Sequence, residues 1–399
     1  MKMCISRNIQ GIQPSVTLAI TAKAKAMKKA GVDVIALSAG EPDFNTPENI
    51  REAAIEAINR GFTKYTPAVG TPELREAICE KLKRENGLVY EPSQVIVSCG
   101  GKHSISLAIM ALVERADEVI IPAPYWVSYP EQVKLAGGTP VILEAKKENG
   151  LKITPKQLRK AIGNRTKLLI LNSPSNPSGV VYSEQEIKEL ARIVLEAGIY
   201  VLSDEIYEKI IYDGAVHHSI AAQDGMQEQT IVVNGVSKSY AMTGWRIGYA
   251  AGPQEIIQAM GKIQSQQTSN PCSVAQAAAL EALTGPQESV EKMRKAFNER
   301  RKYIVQRLNS IQGLSCSVPQ GAFYVFPDVS AFYGISMDGT RIDGSVALCD
   351  FLLEKEKVAC VPGAGFGADN HIRLSYATSM QNIKHAMDRL ERGLNRLLK

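Results

Sequence analysis

From residue 47 to about residue 283, short apolar runs alternate with longer stretches in which apolar side chains recur at helical spacing. Residues 94–98, 118–121, 167–171 and 199–202 are such runs, rich in Val, Ile and Leu. Segments that short and that uniformly apolar read as strands buried on both faces, with the intervening helices as their cover. The alternation therefore predicts an α/β unit with a mostly parallel sheet. Further along, the pattern changes. A long helix is predicted from residue 286 to about 308, with Met293, Phe297 and Ile304 at its apolar positions. Residues 322–326, 358–361 and 371–375 then read as strands of a smaller domain, followed by a terminal helix from Ser379. Another helix is expected over residues 15–30. The expected division is a large domain over 48–285 and a smaller α+β domain made of 1–47 and 286–399. The segment 334–344, rich in Gly and Asp, is expected to be the flexible loop.

The ends of the predicted strands carry the candidate chemistry, since open parallel sheets bind ligands outside the carboxyl ends of their strands. Asp204 ends one strand and is suited to pair with a ring nitrogen and keep it protonated, although strand-end aspartates also serve as helix caps. Tyr207, one turn on, is suited to donate to a ring oxygen. The loop over 172–179 ends another strand and directs Asn176 to the same crevice; turn chemistry alone also accounts for its Asn, Pro, Ser and Gly content. Gly100 and Gly101 follow a third strand and open a helix through Ala111. Free N–H groups and the positive end of the helix dipole there suit a phosphate. The pattern is neither a P-loop nor GxGxxG, so nucleoside phosphates are not indicated. Trp126, one of two tryptophans, follows the strand over 118–121 and suits stacking on a flat ring. Lys238 lies in Val-Ser-Lys-Ser-Tyr with Arg246 after Thr-Gly-Trp. A lysine amine can form a Schiff base with an aldehyde cofactor, and an arginine fork can hold that cofactor's phosphate.

Taken in this order, the elements resemble the fold-type I pyridoxal-phosphate aminotransferases of class I/II, over nearly the whole chain. The resemblance is nearest to the bacterial Ib-subgroup aspartate aminotransferases, which include aspartate/prephenate enzymes. Residues 38–44, 64–66, 125–130, 242–246 and 372–377 carry it. It implies a seven-stranded-type sheet and pyridoxal 5'-phosphate as cofactor. Lys238 becomes the Schiff-base lysine, Asp204 the partner of the ring nitrogen, and Tyr207 and Asn176 the ligands of the ring oxygen. Trp126 would stack on the ring. Gly100, Gly101, Ser237 and Arg246 would hold the phosphate, helped by Tyr65 from a partner subunit, which makes the protein a homodimer. Arg373 would grip the substrate α-carboxylate beside Gly40 and Asn176, and Lys102 would meet a side-chain carboxylate. The implied reaction is ping-pong transfer of an amino group from L-aspartate to 2-oxoglutarate, giving oxaloacetate and L-glutamate. Two alternatives stand beside it: an aspartate/prephenate aminotransferase making arogenate, and a carbon–sulfur β-lyase on the same cofactor. Two positions depart from the pattern. Gln13 stands where many prephenate-competent relatives have lysine, and Gly235 where many relatives have a phosphate-binding serine.

Composition narrows the classes further. With 399 residues, 45% hydrophobic and 22% charged, the chain is long enough for two domains and has a globular balance. Its +5 formal charge is spread without a basic block, so nucleic-acid binding is not indicated. The seven cysteines (Cys4, Cys79, Cys99, Cys272, Cys316, Cys349 and Cys360) have no CxxC spacing, which argues against a zinc site or a disulfide framework. No metal, membrane span or targeting segment is expected, and the cytoplasm is the expected compartment. His217-His218 reads as an isolated surface pair.

Overall fold

The structure, a computed structural model, describes residues 6–337 and 339–398; Cys4 lies outside them. Its centre is a seven-stranded sheet built from β1 (Val95–Ser98), β2 (Glu118–Ala123), β3 (Thr139–Glu144), β4 (Thr166–Asn172), β5 (Tyr200–Asp204), β6 (Thr230–Gly235) and β7 (Gly248–Ala251). The spatial order is β1-β7-β6-β5-β4-β2-β3. Neighbours pair in parallel except β7, which runs antiparallel to β6 and β1.

The two-residue period of a strand sorts the apolar side chains onto two faces. Ile96, Val119, Ile121, Ile170, Leu202 and Val233 share one core with the helices Gly101–Leu112 and Gln254–Gln267. Ile120, Leu169, Leu171 and Val201 share another with the helix Glu184–Ala197. That helix shows how sequence sets its limits. Ser183 caps the start by accepting from the Glu186 N–H at 3.3 Å, and Glu186 reaches back to the Ser183 N–H at 2.7 Å. Ile187, Leu190, Ala191 and Val194 recur at helical spacing and are buried, each large one contributing about 2 kcal/mol by leaving water.

A separate core gathers Phe297, Ile304, Phe323, Tyr324, Leu374, Tyr376 and Leu390. It joins the helices Glu288–Ser310 and Met380–Leu397 to a three-stranded antiparallel sheet of β8 (Tyr324–Val325), β9 (Val361–Pro362) and β10 (Ile372–Ser375), in the order β9-β10-β8. The expected strand over 322–326 pairs only through Tyr324 and Val325. The expected strand over 358–361 divides at Cys360 into Val358–Ala359, which pairs with Ile35–Ala36, and β9. A single apolar run here feeds two sheets, a division that hydropathy does not register. The segment expected to be a flexible loop contains Ser336–Met337 paired antiparallel with Thr340–Arg341. Among the described residues no helix is long and apolar enough to cross a membrane.

Candidate active site

Five strands that end toward one edge of the sheet lead to a side chain or a helix start at a cavity of about 410 Å³. Strand β1 leads to Gly100 and Gly101, β2 to Trp126, β4 to Asn176, β5 to Asp204 and β6 to Ser237 and Lys238. Because β7 runs the other way, Arg246 just before its start reaches the same edge. Gly40, Lys102, Tyr207 and Arg373 complete the lining among the residues expected from sequence. Gly100 is behind the wall rather than on it. Tyr65 does not line the cavity of its own chain and is 92% exposed.

Asp204 is buried at the carboxyl end of β5, where its Oδ2 accepts a 2.6 Å hydrogen bond from Tyr129 and its Oδ1 one from the Ile206 N–H at 3.3 Å. Burial raises its pKa to about 6, against the pull of these two donors. Both partners are neutral, so this carboxylate retains a demand for positive charge. Lys238 Nζ donates to the Gly40 carbonyl at 2.6 Å. Burial lowers its pKa to about 8, and the neighbouring Arg246 and Arg373 add to the fall against Glu41, which opposes it. Arg373 is 2% exposed and sits among partners that fix its plane. One terminal nitrogen donates to Asn176 Oδ1 at 2.9 Å, the other to the Ser38 carbonyl at 2.8 Å, and the buried Nε has no partner among the described residues. The Asn176 oxygen is thus committed to Arg373, while its amide nitrogen faces the cavity as a remaining donor.

The donor set fits pyridoxal phosphate. Gly100, at φ +90°, caps the helix Gly101–Leu112; a Cβ there would come within 2.3 Å of an Arg246 terminal nitrogen, so only glycine lets the guanidinium close on the helix start. Helix N–H groups and Arg246 together make an anion cradle. Lys102 Nζ lies 4.9 Å from the Trp126 ring centroid, and its pKa is lowered, first by burial and then by Arg246. Gly235 sits so close to β7 that a Cβ would lie 2.9 Å from Gly248 Cα. A serine at 235 therefore has no room without a shift of β7, whereas Ser237 lines the cavity.

Residues 32–390 match the aminotransferase class I and II family. The chain belongs to the class I and II aminotransferases. An aspartate aminotransferase of Geobacillus stearothermophilus is 54% identical over 392 residues, 98% of this chain and 98% of that one. A protein of Cereibacter sphaeroides named aspartate/prephenate aminotransferase is 50% identical over 390 residues, 97% of this chain and 98% of that one. The Thermus thermophilus aspartate aminotransferase solved with maleate superposes with a TM-score of 0.93 at 46% identity, covering 98% of this chain and 100% of that one. Like its family, this aminotransferase depends on pyridoxal phosphate and has the fold-type I architecture.

Two contributors to the aminotransferase site escaped sequence reasoning. Tyr129 lies one turn after Trp126, within the stretch 125–130 that carried the resemblance, and its spacing was the available signal. Tyr324 sits on β8 beside β10; its signal was weaker, because only the sheet register brings it next to Arg373. One expectation is corrected. His217 is not a surface residue: its side chain is 7% exposed and its Nε2 lies 2.9 Å from Glu205 Oε2. It belongs to a cluster with Glu205 and Glu208 whose ligand atoms lie within 4.8 Å of one another, the donor types of a cation site. Lys81 occupies that role already, with its ammonium on Glu208.

Proposed function

We propose that this aminotransferase moves the amino group of L-aspartate to 2-oxoglutarate, giving oxaloacetate and L-glutamate in two half-reactions with ping-pong kinetics. The observation that carries the proposal is a pair of cations lining one cavity, Arg373 for an α-carboxylate and Lys102 for a second carboxylate. Each terminal nitrogen of Arg373 keeps a second N–H beyond its bond to Asn176 or Ser38, which suits a bidentate carboxylate contact, and the unpartnered Nε is a donor in reserve. Lys102 sits beside Trp126 at a helix start, where a cation is unfavourable for the dipole unless an anion offsets it. Bound pyridoxal phosphate supplies an electron-withdrawing ring. The chain does the rest. Asp204 meets positive charge at the ring nitrogen, Tyr207 and Asn176 donate to the ring oxygen, and Trp126 covers the ring face. Gly101, Ser237 and Arg246 hold the phosphate, and Gly100 makes the room that lets Arg246 close on it. With a pKa near 8, Lys238 has an accessible neutral amine close to physiological pH, so it can take a proton from the substrate Cα and return one.

The same reading makes the protein a cytoplasmic homodimer in which Tyr65 of one subunit reaches the phosphate of the other. Ile55, Ile58, Phe62 and Tyr65, exposed large hydrophobic side chains on and just beyond the helix Glu48–Asn59, support an interface there. It divides the chain into a large domain over 48–285 and a small one over 1–47 and 286–399.

The test is a half-reaction. The cofactor-loaded protein is mixed separately with L-aspartate, L-glutamate, L-alanine and L-phenylalanine, and the visible absorbance of the bound cofactor is followed. Aspartate and glutamate are expected to discharge that absorbance at least about tenfold faster than alanine, the value of one charge-assisted contact. Loss of the band with none of them, together with release of pyruvate and ammonia from a cysteine-like amino acid, would replace this reading with a lyase. Faster return of the band with prephenate than with 2-oxoglutarate would make prephenate the acceptor.

A further inference from the structure

Tyr324 touches three parts of the site at once. Its hydroxyl lies 2.8 Å from the Tyr207 hydroxyl, and the two rings meet edge to face with centroids 5.8 Å apart. The Arg373 guanidinium lies 4.4 Å from the centre of the Tyr324 ring. A Cβ added to Gly40 would come within 2.8 Å of the Tyr324 hydroxyl, so the residue whose carbonyl receives Lys238 is shaped by the same phenol. Tyr324 is 1% exposed, and it reaches these groups because Tyr324 pairs with Ser375, two residues beyond Arg373. Tyr207 follows β5 of the seven-stranded sheet, whereas Tyr324 and Arg373 belong to the three-stranded sheet. The bond between the two phenols therefore ties one sheet to the other at the cavity.

We infer that Tyr324 is a positioning residue that sets the hydroxyl of Tyr207 and the plane of Arg373 together, so that the donor to the ring oxygen and the carboxylate clamp form one unit. The inference rests on the dicarboxylate aminotransferase reading. Its two halves use different parts of the side chain. A phenol proton from Tyr324 to the Tyr207 oxygen leaves the proton of Tyr207 turned to the cavity, and a donor whose own oxygen accepts a bond donates more strongly. The ring, not the hydroxyl, supports Arg373 through the attraction between a buried guanidinium and a π face, and it lies nearer than the Phe366 ring 5.1 Å away.

Two variants separate the halves. Tyr324→Phe keeps the ring and removes the hydroxyl; Tyr324→Leu removes both. The first readout is a pH titration of the visible absorbance of the bound cofactor. With a weaker donor at the ring oxygen the cofactor holds its proton more tightly, and Tyr324→Phe is expected to titrate about half a unit to one unit higher than wild type. The second readout is calorimetric binding of maleate. Tyr324→Phe is expected to bind maleate within about threefold of wild type, and Tyr324→Leu about tenfold or more weakly. In a Tyr207→Phe background the titration shift caused by Tyr324→Phe is expected to vanish. An unchanged titration in Tyr324→Phe, or equal loss of maleate binding in both variants, overturns the inference while wild type still binds maleate. Wild type that fails to bind maleate would overturn the dicarboxylate reading itself.

Discussion

Asp204 and Tyr207 face the cavity, while Glu205 and Glu208, one residue further along in each case, face a closed cluster on the other side of the same segment. The two regions treat buried charge in opposite ways. In the cluster every carboxylate oxygen finds its partner. Glu205 accepts from Ser203 at 2.8 Å and Ser219 at 2.6 Å and pairs with His217, and Glu208 takes the Lys81 ammonium and the Asn86 amide at 2.8 Å. Burial works to raise the pKa of Glu208, but Lys81 and then His217 outweigh it and hold the value at about 2. In the cavity Asp204 has neutral partners, Arg373 keeps an orphaned N–H, and Lys238 rests on a carbonyl. The cluster answers its carboxylates with its own groups, and its one orphan among the described residues is the buried His217 Nδ1. The cavity does not answer its charges in this way, and its unmet charge is what a cofactor and a doubly anionic substrate would satisfy.

The comparison can be broken from the cluster side first. His217→Gln leaves Glu205 buried without its cation and is expected to cost about 3 kcal/mol of stability with turnover nearly unchanged. The cost carries a pH signature. Burial lowers the His217 pKa, but Glu205 more than reverses this, so the folded value lies above the ordinary 6.5. A raised folded pKa means that the pair's contribution is fully present below the unfolded pKa and is lost as pH rises through the folded one. The stability gap between wild type and His217→Gln, measured by urea unfolding, is therefore expected to be widest below the ordinary histidine pKa and to narrow as pH rises above it. A gap independent of pH would mean that His217 acts by packing alone.

A smaller effect sharpens the cavity side. Lys102→Gln keeps length and polarity and removes only charge. The kcat/KM for L-aspartate is expected to fall by about tenfold or more, with that for L-alanine unchanged, because only the dicarboxylate uses the lost cation. Equal losses for both substrates would assign Lys102 to the phosphate end instead, where Arg246 already lowers its pKa.

The residues legible in the sequence were those whose meaning is local. Asp204 and the Gly100-Gly101 pair stand at a strand end and a helix start, so period and punctuation place them, while Lys238 and Arg246 were legible from the short motif around them. Strands β1, β2, β4 and β5 were legible because a strand buried on both faces is a continuous apolar run. What stayed hidden depends on register between distant segments. Tyr324 meets Tyr207 only because β8 pairs with β10, and the Glu205–His217 pair belongs to a cluster whose Glu208 is held by Lys81 and Asn86 from a helix more than 120 residues earlier. A polar loop around two histidines looks solvent-exposed in sequence whether or not a glutamate twelve residues upstream receives one of them. The division of the run over 358–361 between two sheets is a further case.

The most direct test of the central claim compares Asp204→Asn with Glu208→Gln, measuring urea unfolding of the cofactor-free protein and turnover of the loaded enzyme for both. Asp204→Asn is expected to keep stability within about 1 kcal/mol of wild type, since it removes a buried charge that lacks a cation, while turnover falls by about a hundredfold or more. Glu208→Gln is expected to do the reverse, losing about 3 kcal/mol with turnover within about threefold of wild type. If Asp204→Asn instead unfolds as easily as Glu208→Gln and keeps its turnover, the carboxylate at the end of β5 is a structural charge, and the division between a working cavity and a balanced cluster is wrong.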